Sequence, residues 1–151
     1  APAQYRLSPE EVVALDLADE VRWKRLCSFF DRYSGVKRDP RALFVCGAGL
    51  NSFHVDPVGR MSICMMARMD QYDLRSGSFH DGWCGHAREV RFRTLVSDND
   101  CNRCHLASVC TQCPGWAHLE SDQEMAPIDY LCQVTRLRAQ AVARQSVRED
   151  L

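Results

Sequence analysis

The sequence predicts a small, irregular α+β domain, in which a β-hairpin and a cysteine-rich loop are flanked by N- and C-terminal helices. Three observations predict it. Helical periodicity is confined to the two ends and one central segment. A Pro/Gly turn separates two short β-prone runs. Between the central segment and the last helix, residues 97–125 are rich in Asp, Asn, Cys, Gly and Pro and show little periodicity. Such a loop buries too little apolar surface to order itself and needs a cross-link.

Each element has its own signal. Ser8-Pro9-Glu10-Glu11 combines a capping Ser, a Pro in the first turn and early acids, so a helix is expected over residues 8–33. Trp23, Leu26, Cys27 and Phe30 continue it at helical spacing, and Tyr33-Ser34-Gly35 ends it. Phe53-His54-Val55 and Met61-Ser62-Ile63 flank Asp56-Pro57-Val58-Gly59, which suits a β-turn between antiparallel strands. Ser78 to Asp81 resembles a capping box with Asp in place of Glu, followed by an apolar stripe at Phe79, Trp83, Ala87 and Val90. Pro127 opens a last helix with Tyr130, Val134, Leu137 and Ala141 on one face, and residues 145–151 are expected to fray.

Composition narrows the classes. The chain has 151 residues, 46% hydrophobic, with a net charge of −1, which suits one domain with a modest core. No global basic field points to nucleic acid. The longest uncharged apolar run, Leu43 to Leu50, is too short to cross a bilayer, so no membrane partner is expected. The start, Ala-Pro-Ala-Gln, has neither an initiator Met nor the plan of a signal peptide. A processed or excised piece of a longer cytoplasmic protein is the expectation.

Cysteine is the anomaly. There are nine: Cys27, Cys46, Cys64, Cys84, Cys101, Cys104, Cys110, Cys113 and Cys132. A disulfide framework needs an oxidising compartment, and the number is odd. Crowding of four cysteines within thirteen residues favours metal ligation in an intracellular chain. The densest run is Cys101-x2-Cys104-x5-Cys110-x2-Cys113-Pro114. A two-residue gap lets two sulfurs reach one metal centre, as in iron–sulfur clusters and structural zinc alike. Upstream, Cys46 and Cys64 bracket the hairpin turn as C-x12-G-x4-C, and Cys132 follows Cys113 after 18 residues.

These seven cysteines closely resemble the pattern of SPASM domains, the auxiliary iron–sulfur domains at the C-terminus of many radical S-adenosylmethionine enzymes. The resemblance runs from about Leu43 to Arg138. One departure is the last short gap, two residues here against the family's usual three. The resemblance implies that Cys101, Cys104, Cys110 and Cys132 hold one 4Fe–4S cluster. It implies that Cys46, Cys64 and Cys113 supply three ligands to a second. Residues 37–45, where many members carry the fourth ligand, contain no Cys. Cys84, Cys27, a non-cysteine ligand or an open iron are the candidates for that place. One cluster or two are both compatible with this sequence.

By the same resemblance, residues 43–140 form the cluster-binding domain, residues 1–42 a helical connector to a radical S-adenosylmethionine barrel, and residues 141–151 a helix end or tail. S-adenosylmethionine and its own cluster belong on that barrel, upstream or in trans, because this chain has no C-x3-C-x2-C triplet and is too short for a barrel. The implied role is electron transfer and seating of a peptide or protein substrate, in an oxidoreductase that this chain alone does not complete. A structural zinc interaction module and a stand-alone electron-transfer protein use similar cysteine gaps.

Beside these, Cys27 sits on the apolar stripe of the first helix and reads as a small buried hydrophobe. Cys84 lies four residues after His80 and reads either as a metal edge or as part of a polar helix face. Arg60 and Arg103 are placed in sequence to offset cluster charge or simply to face solvent. His54, His105 and His118 show no ligand spacing, and Phe79, Trp83 and Trp116 read as core.

Overall fold

The computed structural model describes residues 2–39, 41–94, 100–101, 103–124 and 126–149. It is a small α+β fold with five α-helices and one three-stranded antiparallel sheet among those residues. The chain divides into two compact units, neither contiguous in sequence.

The first unit comprises Ala1–Arg38, Arg103–Gln112 and Pro127–Leu151 and is helical. α1 spans Pro9–Ala18. The Ser8 hydroxyl accepts from the Glu11 amide at 3.1 Å, and the Glu11 carboxylate accepts from the Ser8 amide at 2.7 Å, so the predicted start is a full capping box. α2 spans Glu20–Tyr33. The single helix expected over residues 8–33 is therefore two. Asp19 leaves helical geometry at φ −103° and ψ 106°, and its carboxylate accepts from the amides of Val21 and Arg22, each at 3.0 Å. An Asp that satisfies two orphan donors starts a new helix where periodicity alone runs on.

α5, Asp129–Glu149, packs against both α1 and α2. Its helical geometry continues through the residues expected to fray, as far as Glu149. Its buried positions are Leu131, Val134 and Thr135, so the inward face is turned slightly from the stripe read in the sequence. Asp16 is 3% exposed and ties α1 to α5 through Arg138 at 2.8 Å, while Arg22 reaches it from α2. Removing that carboxylate by Asp16→Ala leaves two arginines that rehydrate at their solvent-facing edges. The expected loss is about 1–3 kcal/mol, measured by urea denaturation of the metal-free protein.

The second unit comprises Asp39–Asn102 and Cys113–Ala126. β1 (His54–Val55) and β2 (Arg60–Ser62) pair antiparallel, with His54 opposite Ser62 and Val55 opposite Met61. That is the hairpin expected from the sequence. The Asp56 carboxylate accepts from the amides of Val58 and Arg60, and Gly59 closes the turn at φ 82°. The amide bonds hold the Asp56 carboxyl below its ordinary pKa. A third strand, β3 (Tyr72–Asp73), adds to the other edge of β2.

Against the sheet lies a helical segment with a π-helical turn at Asp81–His86 that runs into α3, Ala87–Arg91. The Ser78 hydroxyl accepts from the Asp81 amide and donates to the Asp81 carboxylate at 2.7 Å. The Asp81 carboxyl is held below its ordinary pKa, first by the Ser78 hydroxyl, then by His80 and the Ser78 amide. The π-helical turn shifts the expected stripe: Ala87 and Val90 are buried and Trp83 packs on the core, but Phe79 is 48% exposed. Phe79 meets the ring of Phe53 edge-on at 5.2 Å. The core of this unit is Leu43, Phe44, Ala48, Met61, Ile63, Ala67, Ala87 and Val90.

The cysteine-rich stretch is more regular than its composition suggests. A 3-10 turn at Ala107–Val109 lies in the first unit, and α4, Pro114–Ser121, lies in the second. Residues 95–99, 102 and 125, which include part of the expected loop, lie outside the described residues. No described helix is long and apolar enough to cross a membrane.

Candidate metal centre

The seven implied ligands do not follow their order in the chain. Cys104, Cys110 and Cys132 belong to the helical unit. Cys46, Cys64 and Cys113 belong to the sheet unit, as do Cys84 and Cys101. The division between units thus falls between Cys110 and Cys113, although only two residues separate them.

In the helical unit, the chain from Cys104 to Cys110 is a tight turn. The Cys104 carbonyl accepts from the Ala107 amide at 3.0 Å, and the Ala107 carbonyl accepts from the Cys110 amide at 3.3 Å. Arg38 clamps the end of this turn by donating to the carbonyls of Ser108 at 3.0 Å and Cys110 at 3.4 Å. The Cys110 sulfur lies 3.4 Å from the Gln112 amide and 3.5 Å from the Thr135 hydroxyl. Thr135 is one turn beyond Cys132 on α5, so the Cys110 sulfur meets the helix close to Cys132. Burial pushes the Cys132 thiol above its ordinary pKa, and the neighbouring Cys110 and Cys104 add to the rise while Arg136 opposes it.

In the sheet unit, Cys64 follows β2 directly after buried Ile63. Its carbonyl accepts from the Ser62 hydroxyl and the Ala67 amide, at 3.0 and 3.1 Å, and its sulfur accepts from the Met66 amide at 3.2 Å. Cys113 is the N-cap residue of α4, next to Pro114. Gly115 rests on the segment after Cys64: a Cβ placed there would lie 2.8 Å from the Met66 carbonyl carbon and 2.9 Å from the Ala67 amide nitrogen. Cys113 and Cys64 are therefore each two residues from one backbone-to-backbone contact. Cys46 is exposed and follows buried Leu43 and Phe44. Arg91 of α3 donates to the Phe44 carbonyl, and Gly49, at φ 72°, packs against Ile63, Ala87 and Arg91. The strands and helix thus fix both ends of the segment that carries Cys46.

The other candidates are placed differently. Cys84 is exposed on the π-helical turn, and Cys101 is half-buried. Cys27 is half-buried in the helical unit, where its thiol reaches the Gln145 side chain of α5 at 3.8 Å. Arg60 and Arg103 are both exposed. None of the nine cysteines is in a disulfide. Among the described residues, no three or more His, Cys, Asp or Glu side chains form a group able to hold a metal ion.

No protein-family model, curated protein or solved structure matches this chain.

Several residues around these sulfurs carry no sequence motif. Arg38, Gln112 and Thr135 surround Cys110, and Gly115 and Arg91 position the segments that carry Cys113 and Cys46. Only Gly115 left a trace in sequence, as the second residue of a Pro-Gly pair after a cysteine. Cys27→Ala is expected to leave the iron content of a reconstituted protein unchanged, because the contact shown for Cys27 is a helix-to-helix one. Colorimetric iron analysis beside wild type checks this.

Proposed function

We propose that this chain is an auxiliary iron–sulfur domain of the SPASM type, serving a radical S-adenosylmethionine oxidoreductase that modifies peptides or proteins. The observation that supports this reading is the sorting of six of the seven cysteines: Cys113 goes with Cys46 and Cys64, while Cys104 and Cys110 go with Cys132; Cys101 falls in the sheet unit, apart from the set the resemblance gives it. A disulfide ladder or a simple four-cysteine zinc knuckle gives no reason for a break between Cys110 and Cys113. An interleaved pair of cluster sites does.

The donor chemistry fits. The sulfurs are unbridged, and the amides of Met66 and Gln112 approach Cys64 and Cys110 as donors. Such bonds stabilise thiolate over thiol and are the usual second sphere of cysteine-ligated iron. In this reading Cys101, Cys104, Cys110 and Cys132 hold the first 4Fe–4S cluster. Cys46, Cys64 and Cys113 hold the second, with Cys84 as a candidate fourth ligand. Binding requires the loops to draw these sulfurs closer and to release the protons of the thiols. When bound, a 4Fe–4S cluster supplies one-electron transfer. The residues of this chain would orient the sulfurs and set their electrostatic surroundings, with Cys46, Cys84 and Cys104 open to solvent. S-adenosylmethionine and the barrel that binds it belong to a partner domain, and the setting is the cytoplasm.

Anaerobic reconstitution with iron and sulfide tests the reading. About eight irons and eight sulfides per chain, with two electron paramagnetic resonance signals after reduction, support two clusters, and about four support one. Tight zinc uptake without labile sulfide would favour an interaction module. A folded, oxygen-free preparation that takes up neither iron nor sulfide ends the proposal.

A further inference from the structure

We propose that two copies of this chain pair through their N-terminal helices, the acidic face of α1 in each copy lying on the basic, aromatic face of α2 in the other. The pairing involves the helical unit alone, needs no metal centre and is independent of the ligand assignment above.

What each helix buries shows which face it leaves open. On α2, Trp23 and Cys27 both reach the Gln145 side chain of α5. Arg25 is two positions from each, about 200° around the helix, and so points away from α5. Ser28, Phe29 and Arg32 follow Arg25 on that same side, and all four are exposed. On α1, Asp16 reaches Arg138 of α5 at 2.8 Å. Ala14 and Ala18, two positions away, face outward with Glu11 and Leu15 beside them, and these four are exposed too. Because α1 and α2 pack on each other and both contact α5, their open faces adjoin.

Both faces are apolar enough to call for a cover. Leu15 is 51% exposed and Val21 59%. Phe29 and Tyr33 remain exposed although their rings stack at 5.0 Å. Single apolar side chains at a surface are ordinary, but such a cluster on adjoining helices marks an interaction surface.

The charges on the two faces are opposite. α1 has no basic residue, and Glu10 and Glu11 stand exposed in its first turn. On α2, an open hollow of about 340 Å³ is lined by Lys24, Arg25, Ser28, Phe29, Arg32 and Tyr33. Lys24 is paired with Glu20 at 2.6 Å, but Arg25 and Arg32 have no ion pair among the described residues.

This juxtaposition selects the occupant. A nucleic acid or an anionic membrane would be drawn to α2 and repelled by α1 beside it, and an acidic protein would meet the same conflict. A second copy carries both faces in the same arrangement, and a twofold axis sets α1 on α2 twice. Leu15 of one copy then meets the Phe29 and Tyr33 rings of the other, and Glu10 and Glu11 meet Arg25 and Arg32.

Sedimentation equilibrium of the 151-residue chain tests the pairing. A thiol reductant is kept present, so that no intermolecular disulfide counts as a dimer. Wild type should pass from monomer to dimer with rising concentration, and its dissociation constant should rise with salt. Arg25→Glu with Arg32→Glu reverses the charge of α2. Glu10→Arg with Glu11→Gln reverses that of α1, and Gln keeps the capping box. Either variant alone sets like charges at both contacts and should pair about tenfold more weakly or worse. An equimolar mixture of the two should regain wild-type pairing, because one contact of the mixed dimer is native and the other is reversed on both sides. A misfolded variant cannot give that recovery. A wild-type chain that stays monomeric up to its solubility limit overturns the proposal and leaves the surface to a partner of other chemistry. So does a dimer that salt and both variants leave unchanged, or a mixture that pairs no better than its components.

Discussion

Replacing Cys132 with alanine is expected to halve the iron bound on reconstitution, from about eight to about four per chain, while the metal-free protein folds as before. The two halves of that outcome have different causes. Cys132 is half-buried on α5, and alanine is the better helix former by a few tenths of a kcal/mol. Losing the sulfur costs some packing but leaves no polar group unpaired. The thiol is also held above its ordinary pKa by burial and by Cys110 and Cys104, so the metal-free chain pays to ionise it. In the ligand assignment proposed above, Cys132 is one of the four sulfurs of the first centre. Metal-binding free energy at such sites is folding free energy. The loaded variant should therefore melt well below loaded wild type and be cut faster by protease in the helical unit. Unchanged iron content in Cys132→Ala would remove the first ligand set. An equal loss of stability in both metal-free and loaded protein would reduce Cys132 to a packing residue.

Gly115→Ala is the second large effect, and it acts on the other unit. The new methyl would sit 2.8 to 2.9 Å from three backbone atoms of Met66 and Ala67. Backbone cannot swing aside as a side chain does, so the start of α4 must move off the segment after Cys64. The overpacking cost is about 1–3 kcal/mol. The functional cost is larger in this reading, because the displaced segments carry Cys113 and Cys64. Iron should fall to about four per chain, with the first signal retained and the second lost. Gly85→Ala is the control: nothing lies within 4 Å of its would-be Cβ, and neither cluster should respond. A Gly115→Ala protein that is destabilised yet keeps two clusters would show that Cys113 and Cys64 do not serve one centre.

The elements most legible in the sequence were those whose residues satisfy a local backbone need. Ser8 and Glu11 announce α1, and Asp56 to Gly59 announce the turn of the hairpin. Other features depend on contacts that no period records. Asp19 splits a continuous helical pattern because its carboxylate caps two amides better than the pattern holds them apart. The two residues of β3 are too few to alternate. Leu43, Phe44 and Ala48 enter the core from irregular backbone, where neither a 3.6 nor a 2.0 repeat applies. α4 begins with Pro114, a legitimate first-turn residue, but the surrounding Cys, Gly and Asp mask it. At the candidate centre, the sulfurs themselves stand out by count and spacing. Their second sphere does not, because Gln112 acts through its backbone and Thr135 through a position on α5 that the apolar stripe does not mark.

The discontinuity of the helical unit has a consequence for biosynthesis. The sheet unit has all its segments once Ala126 has left the ribosome, whereas the helical unit lacks Cys132 and the whole of α5 until later. Translation thus imposes an assembly order, with the sheet complete while α1 and α2 still wait for their partner helix. A chain released early, just before Pro127, should keep the hairpin and α4 but expose the apolar faces meant for α5, a ready target for chaperones.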